Sequence, residues 1–309
     1  MKTIENWFRA TDGQTIFYNE FLPTKGDVKF VVQIAHGMAE HSERYSHFAE
    51  FLVNHGAAVY ASDHRGHGRN VKDTDQYGVW PDKKTWCSIV DDIKILNDIS
   101  ATNFPGVPIF ILGHSMGSFL VRTFITTYSI GLKGVILTGT ATNPTFILKI
   151  GYWIACLQCF LGGVNKKSKL LDKMSFGSFN KDFETPFQWL SRDQKAVDEY
   201  INDPFCGGVF SCSFYKSFFA GLININKLKF AKKINREVPI IFLSGDADPV
   251  GDYGKGVLKA VDFYKSANIK NLEYKLYKDA RHEIINETNK AEVYQDILDW
   301  INKIILNGK

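Results

Sequence analysis

The 309-residue chain has few cysteines and no large excess of charge of either sign. Its five cysteines are odd in number and lie in apolar or aromatic surroundings, so a disulfide framework is disfavoured and reduced thiols are expected. Lysine and arginine number 37 against 33 acidic residues, and the two signs are mixed along the chain. No basic arm is available for nucleic acid, and we expect no nucleic-acid partner.

Internal repeats and low-complexity tracts are not seen in the sequence. Charged residues interrupt residues 1–9 every few positions, so we expect no signal peptide and a cytoplasmic location. Hydrophobic residues make up 45% of the chain, which is enough for a large core and excludes a disordered protein.

One apolar stretch, residues 146–164, has nearly the length of a membrane-spanning helix. It contains Lys149, Gln158 and three glycines, whereas a span usually needs about 20 apolar residues with few charges. A lid helix is therefore the favoured interpretation. Such a lid could still make transient contact with a membrane or micelle.

Short apolar segments alternate with amphipathic stretches through most of the chain. Residues 6–9 and 15–21 flank the turn Thr11-Asp12-Gly13, which predicts an antiparallel edge of a sheet. Further strands are predicted at 30–35, 57–62, 108–112, 134–138, 238–243 and 272–277, and helices at 44–54, 84–101, 116–128, after Gly254 and at 289–305. This alternation is typical of an α/β protein with a mostly parallel central sheet flanked by helices.

The alternation stops between residues 141 and 226. We therefore predict that residues 1–140 and 227–309 form the two parts of one core, and that residues 141–226 are an inserted helical lid.

The segment Gly113-His114-Ser115-Met116-Gly117 joins a predicted strand to a predicted helix. A serine on such a turn is held in a strained conformation that projects its hydroxyl, and the two glycines leave room for strand and helix to cross. The alternative is an ordinary Gly-Ser turn. The strand-to-helix context favours Ser115 as a nucleophile.

A serine nucleophile needs a histidine base that is held by a carboxylate. His282 is the one histidine of eight that lies C-terminal to Ser115, and it precedes the last helix, so it is the candidate base rather than a surface-loop histidine. Asp246 and Asp248 both follow the strand at 238–243. We prefer Asp248 as the acid because it lies farther from the strand end, while Asp246 is expected to hold N–H groups of its own turn.

The oxyanion formed by attack on a carbonyl needs two N–H donors that are fixed before the reaction. One is expected from Met116, directly after the nucleophile, and the other from Met38 in the loop after the strand at 30–35. Gly37 would let the backbone approach the reacting carbonyl, although a plain glycine turn is the alternative.

Three other patterns are weak evidence for a metal, redox or nucleotide site. The residues His36, His41, Asp63, His64 and His67 lack the compact spacing of a zinc motif, so we expect no metal. Residues 156–159 have redox-motif spacing but lie in the apolar segment of the lid, and residues 66–68 are too sparse for a dinucleotide fingerprint. We expect no cofactor.

The motif around Ser115, together with HGMAEHSERY at residues 36–45 and SDHRGHG at 62–68, resembles the α/β-hydrolase superfamily. The likeness is to its monoacylglycerol lipase and lysophospholipase-like branch, and it covers nearly the whole chain outside the lid. It implies the α/β-hydrolase fold, a catalytic triad of Ser115, Asp248 and His282, and oxyanion donors at Met38 and Met116.

These features predict a serine hydrolase that cleaves carboxylic esters through an acyl-enzyme, as a monoacylglycerol lipase, lysophospholipase or carboxylesterase. Amide hydrolysis by a serine aminopeptidase-like enzyme and a catalytically silent ligand-binding module remain alternatives. A lipid-like acyl ester is the expected substrate, because the many aromatic residues of the lid could form an apolar acyl pocket. The alternative for each of these residues is that it packs in the core of the lid. They are Phe146, Tyr152, Trp153, Phe160, Phe176, Trp189, Phe205, Phe210, Phe214, Tyr215, Phe218 and Phe219.

Overall fold

The computed structural model describes residues 1–80, 85–181 and 183–307, and within them eight strands form one sheet. The strands are β1 (Lys2–Arg9), β2 (Thr15–Leu22), β3 (Phe30–Ala35), β4 (Ala57–Ser62), β5 (Ile109–His114), β6 (Leu132–Thr138), β7 (Ile240–Gly245) and β8 (Leu272–Tyr277). Their order across the sheet is β1-β2-β4-β3-β5-β6-β7-β8. The pairs β1–β2 and β2–β4 are antiparallel and the remaining pairs are parallel, which confirms the predicted fold class.

Ten α-helices accompany the sheet in the same described residues. They are α1 (Ser46–Asn54), α2 (Thr85–Asn103), α3 (Met116–Tyr128), α4 (Thr145–Gly162), α5 (Lys169–Phe176), α6 (Gln194–Asn202), α7 (Cys212–Ile225), α8 (Leu228–Ala231), α9 (Lys255–Ser266) and α10 (Lys290–Leu306). The predicted bounds of α3 and β8 agree with these ranges. Helix α1 starts two residues later than predicted, after a 3₁₀ turn, and Lys84, the predicted first residue of α2, lies outside the described residues.

Helices cover the sheet on both faces, which explains why its central strands are apolar throughout. Successive residues of a strand point to opposite faces. In β5, Ile111 packs in the cluster that contains α2, α3 and α9, whereas Phe110 and Leu112 pack in the cluster that contains α1 and α10. A strand buried on both faces has no polar side, as expected for a parallel sheet.

The helices α4 to α8 lie between β6 and β7 in the chain. Helix α7 belongs to the main core, where Phe214 and Phe218 pack with Trp80 and Trp86. Helix α4 packs on α7, but only Leu148, Gly151 and Ala155 of it are buried. Helix α4 is also long and apolar enough to cross a membrane by length and composition, and 17% of it is buried in the protein.

Candidate active site

Ser115 lies at the sharp turn between β5 and α3. Its φ of 50° and ψ of −119° place it in a region that costs a non-glycine residue about 1–3 kcal/mol. The N–H of Ser115 donates to the carbonyl of Thr138 at 2.9 Å, which fixes the turn. A Cβ on Gly117 would overlap the carbonyl oxygen of Ala35, and one on Gly113 would lie 2.6 Å from the Gly117 oxygen, so both glycines are required by close backbone packing.

His282 and Asp248 form a hydrogen-bonded pair in the protein interior. Nδ1 of His282 lies 2.9 Å from Oδ2 of Asp248, and the two residues are 3% and 0% exposed. A carboxylate only accepts hydrogen bonds, so Nδ1 carries the proton and Nε2 is left as an acceptor. Burial opposes protonation of His282, but attraction and hydrogen bonding to the Asp248 carboxylate outweigh it and raise the pKa of the imidazole above its usual value.

Asp246 has a different partner from Asp248. Its Oδ1 accepts the backbone N–H of Asp279, on the loop after β8, at 2.6 Å. The prediction that Asp246 holds N–H groups of its own turn is wrong, because Asp246 joins two neighbouring loops instead. The residue that stabilises this turn is Asp248, whose Oδ1 accepts the N–H of Val250 at 2.8 Å. The structure therefore brings Asp248 to His282 and places Asp246 elsewhere.

Ser115 and His282 line one cavity of about 590 Å³ at the carboxyl ends of the strands. Across the described part of the chain, no hydrogen bond joins their side chains. The His282 ring lies between the rings of His114 and Trp189, with centroid distances of 4.8 and 5.2 Å. A Cβ on Gly139 would lie 2.9 Å from Cε1 of His282, so this glycine leaves the space that the imidazole occupies.

Met38 and Met116 also line this cavity. Within the described residues, neither backbone N–H has a hydrogen-bond acceptor. The loop that contains Met38 passes next to the serine, because a Cβ on Gly37 would lie 3.2 Å from Cβ of Ser115. Both predicted donors are thus available at the cavity that contains the serine.

The histidines at the ends of β3 and β4 hold one another and the backbone. Nε2 of His36 accepts the N–H of His64 at 2.8 Å, and Nδ1 of His36 donates to the carbonyl of Gly37 at 2.7 Å. Burial lowers the pKa of His64 to about 3 and that of His67 to about 4. These imidazoles are therefore neutral and structural at neutral pH.

A separate group comprises His41, Asp203 and Cys206, whose potential ligand atoms all lie within 4.8 Å of one another. Nε2 of His41 is hydrogen-bonded to Oδ2 of Asp203 at 2.8 Å. Burial raises the pKa of the Cys206 thiol, so the sulfur is protonated at neutral pH. A metal ion would have to break the His41–Asp203 bond and remove the thiol proton, so this group is not a preformed metal site.

Apolar side chains form most of the cavity wall around Ser115. They include Phe119, Leu148, Phe176, Trp189, Phe218, Phe219 and Leu222. Of the twelve lid aromatics expected at an acyl pocket, Tyr152 and Phe205 are half-buried against the main core, and the other ten divide into three groups. Phe176, Trp189, Phe218 and Phe219 line the cavity; Phe210, Phe214 and Tyr215 are core residues; and Phe146, Trp153 and Phe160 are exposed.

Sequence reasoning missed a buried charged cluster beside the site, formed by Glu40, Arg44 and Glu283. The spacing of Glu40 and Arg44 suits a local ion pair, but the contact of Arg44 with Glu283 joins residues 239 positions apart. No pattern in a single sequence indicates such a distant pairing. Trp189 was expected only as an aromatic of the acyl pocket, whereas its carbonyl also accepts the N–H of His282 at 3.3 Å.

Comparisons with known proteins identify the family of the chain. A family profile described as "Serine aminopeptidase, S33" matches residues 26–289. The "Monoacylglycerol lipase" of Mycolicibacterium smegmatis is 28% identical over 304 residues, with 96% of each chain covered. The human "Monoglyceride lipase" is 27% identical over 303 residues, which cover 94% of this chain and 88% of that protein. The crystal structure of a carboxyl esterase from Bacillus coagulans superposes with a TM-score of 0.89 at 29% identity and 99% coverage of both chains. The chain therefore belongs to the serine aminopeptidase S33 family of α/β-hydrolases, in its monoacylglycerol lipase-like branch, and is a carboxylic ester hydrolase.

Proposed function

We propose that the protein hydrolyses monoacyl esters of lipid type through an acyl-enzyme, as a monoacylglycerol lipase, lysophospholipase or carboxylesterase. Oγ of Ser115 attacks the ester carbonyl carbon while Nε2 of His282 takes the hydroxyl proton. The N–H groups of Met38 and Met116 donate to the oxyanion, and Asp248 holds the imidazolium. The oxyanion then collapses, the ester bond breaks, and His282 returns the proton to the departing alcohol.

Water completes the reaction by the same route. His282 removes a proton from a water molecule that attacks the acyl carbonyl carbon, and the bond to Oγ of Ser115 breaks. The proton returns to Oγ, and the fatty acid leaves. The observation that carries this proposal is the buried His282–Asp248 pair at the same cavity as the strained turn of Ser115.

The cavity supports a substrate with one acyl chain and a small alcohol. Its volume of about 590 Å³ lies in the usual range for a small-molecule site, and its walls are mainly aromatic and aliphatic. Two relatives carry the name of a monoacylglycerol lipase, and the Bacillus coagulans esterase was crystallised with glycerol. We therefore assign the apolar wall to the acyl chain and expect a glycerol-sized leaving group.

The experiment is a series of monoacyl esters of increasing chain length, assayed with the wild type and Ser115→Ala. We expect turnover that varies with chain length and that falls by several orders of magnitude in Ser115→Ala with the fold retained. Equal turnover by the two proteins would contradict the proposal.

Amide hydrolysis is the second candidate, because the description of the matching family names a serine aminopeptidase. An aminopeptidase needs a free carboxylate for the substrate's α-amino group. Four carboxylates line the cavity, and each has a partner: Glu40 and Glu283 bind Arg44, Asp172 accepts the Tyr215 hydroxyl at 3.2 Å, and Asp252 pairs with Lys259 at 3.7 Å. We therefore expect p-nitrophenyl esters to react much faster than aminoacyl anilides. Faster anilide turnover would favour the aminopeptidase, and no turnover of either would favour a silent binding module.

We further propose that α4 of the inserted segment 141–226 touches lipid surfaces as a lid. Its outer face exposes Trp153 by 68%, Phe160 by 86% and Leu161 by 73%. Burying a large apolar side chain is worth about 1.5–3 kcal/mol, so a few such contacts suffice for reversible binding. Trp153→Ser combined with Phe160→Ser should reduce cosedimentation with phosphatidylcholine vesicles by about tenfold or more, while turnover of a soluble short-chain ester stays unchanged. Unchanged cosedimentation would contradict this docking.

A cytoplasmic location remains our proposal for this protein. Cys156, Cys159, Cys206 and Cys212 are free thiols, which suits a reducing compartment. Recovery of the protein from an extracytoplasmic fraction of its cells would contradict it.

A further inference from the structure

Three charged side chains are buried next to the proposed site and hold one another. Arg44 donates from Nη1 and Nη2 to the two carboxylate oxygens of Glu283, at 2.6 and 2.7 Å. Nη1 also donates to Oε2 of Glu40 at 2.7 Å. The side chain of Arg44 is 10% exposed, and Glu40 and Glu283 are 3% and 5% exposed. Such forked contacts are the strongest and most directional hydrogen bonds between charged side chains.

The second oxygen of Glu40 holds the loop after β3. Oε1 accepts the N–H of Gly37 at 2.5 Å and the hydroxyl of Tyr45 at 2.8 Å. Gly37 directly precedes Met38, whose N–H is the proposed oxyanion donor. The Glu40 carboxylate therefore fixes the loop at the residue before that donor.

Glu283 holds the other loop of the site, because it directly follows His282 in the chain. Its backbone N–H donates to the carbonyl of Leu190 at 2.7 Å, and Asn286 donates from Nδ2 to Oε2 at 3.1 Å. Among the side-chain hydrogen bonds of the described residues, those of the Arg44 guanidinium are the ones that join the loop after β3 to the loop of His282. The proposed mechanism needs these two loops in a fixed relation.

We propose that Arg44 is a positioning residue that, by binding Glu40 and Glu283 at once, sets the oxyanion loop against the loop of His282. This inference rests on the proposed function. A guanidinium presents a rigid planar fork, whereas a lysine ammonium is a single point on a flexible stem. Lysine can keep the positive charge at this position but cannot hold three carboxylate oxygens in the same geometry.

The cluster also influences the charge on the imidazole. Burial would raise the pKa of Glu283, but Arg44 outweighs it and lowers that pKa to about 2, so Glu283 stays ionised. Burial raises the pKa of Glu40. Attraction to Glu283 and, less strongly, to Glu40 adds to the effect of Asp248 in raising the pKa of His282. The other titratable neighbour is His114, whose pKa burial lowers, so it is uncharged. Stabilising the imidazolium in this way helps the step in which Ser115 loses its proton.

The test compares Arg44→Lys and Glu283→Gln with the wild type, using a short-chain p-nitrophenyl ester and counting active sites with a fluorophosphonate. We expect kcat per active site to fall about tenfold or more in Arg44→Lys while KM changes less than threefold, because the oxyanion contacts form only in the transition state. In Glu283→Gln the acid limb of the kcat/KM profile should move to lower pH, since a negative charge near His282 is lost.

Arg65→Lys is the matched control. Arg65 makes a buried fork with Asp92, at 2.6 and 2.9 Å, and its other side-chain hydrogen bonds go to Asp12 and Gln14, so none of them reaches either loop. The Arg65→Lys substitution should lower the melting temperature without changing kcat per active site. Wild-type kcat per active site in Arg44→Lys would overturn the inference while leaving the proposed function intact. If Arg44→Lys does not fold, wild-type kcat per active site in Glu283→Gln, which removes a carboxylate that Arg44 binds, overturns it. A wild type without turnover or labelling would instead refute the proposed function and this inference with it.

Discussion

Replacing Asp248 by asparagine should remove most of the activity while leaving the fold in place. Nδ1 of His282 and Oδ2 of Asp248 are 2.9 Å apart, and both side chains are almost fully buried. At an effective dielectric constant of about 20, opposite unit charges about 3 Å apart attract by roughly 5 kcal/mol. An amide keeps the shape but loses this attraction to the imidazolium, and its NH₂ group favours the wrong imidazole tautomer. We therefore expect kcat to fall by about 10³ to 10⁴.

The assay measures kcat and KM for a p-nitrophenyl ester, with circular dichroism and the melting temperature as checks on folding. Asp246→Asn is the matched control, since Asp246 follows the same strand but binds the N–H of Asp279. It should keep kcat within about tenfold of the wild type, because it changes one exposed contact to a neighbouring loop. A greater loss in Asp246→Asn than in Asp248→Asn would refute the assignment of the acid.

Three further predictions follow from the same geometry. Activity should rise with pH through a pKa above about 6.5, because only neutral His282 accepts the serine proton and Asp248 raises the pKa of His282. A kcat/KM profile whose acid limb lies below that pH would contradict this. Gly245→Ala should lower the melting temperature and kcat together, since its Cβ would overlap the carbonyl of Ala280, two residues before His282. Ser115→Gly should be inactive yet melt at or above the temperature of Ser115→Ala, because glycine relieves the strain of a φ of 50°; clearly lower melting would argue against strain.

The parallel sheet was predictable from sequence because each central strand is apolar on both faces. The predicted bounds of β3, β4, α3 and β8 agree with the structure to the residue. The start of α1 was less predictable, because the 3₁₀ turn Ser42–Tyr45 continues the same apolar and polar pattern. Local periodicity does not distinguish a 3₁₀ turn from the first turn of an α-helix.

Within the site, Ser115 and His282 could be proposed from local context and chain order. The choice between Asp246 and Asp248 depends on which carboxylate reaches across to the loop after β8, and the geometry pairs Asp248 with His282. The contact of Arg44 with Glu283 could not be predicted from the sequence, because it depends on the positions of β3 and β8 in the folded sheet.

The lid was predictable in part. A break in the alternation between residues 141 and 226 indicates an insert, but the composition of its helices does not say which of them enters the core. Phe214 and Phe218 of α7 fill a space beside Trp80 and Trp86, whereas the equally apolar Phe160 of α4 is exposed. That difference is decided by which face of each helix meets the sheet domain, a property of tertiary packing.

The most direct measurement is the mass of the protein after reaction with a fluorophosphonate, followed by peptide mapping. The account predicts one adduct per chain, located on Ser115, which is absent from Ser115→Ala and formed far more slowly in His282→Ala. An adduct on another residue, or equal labelling of Ser115→Ala, would contradict the claim that this serine is the nucleophile.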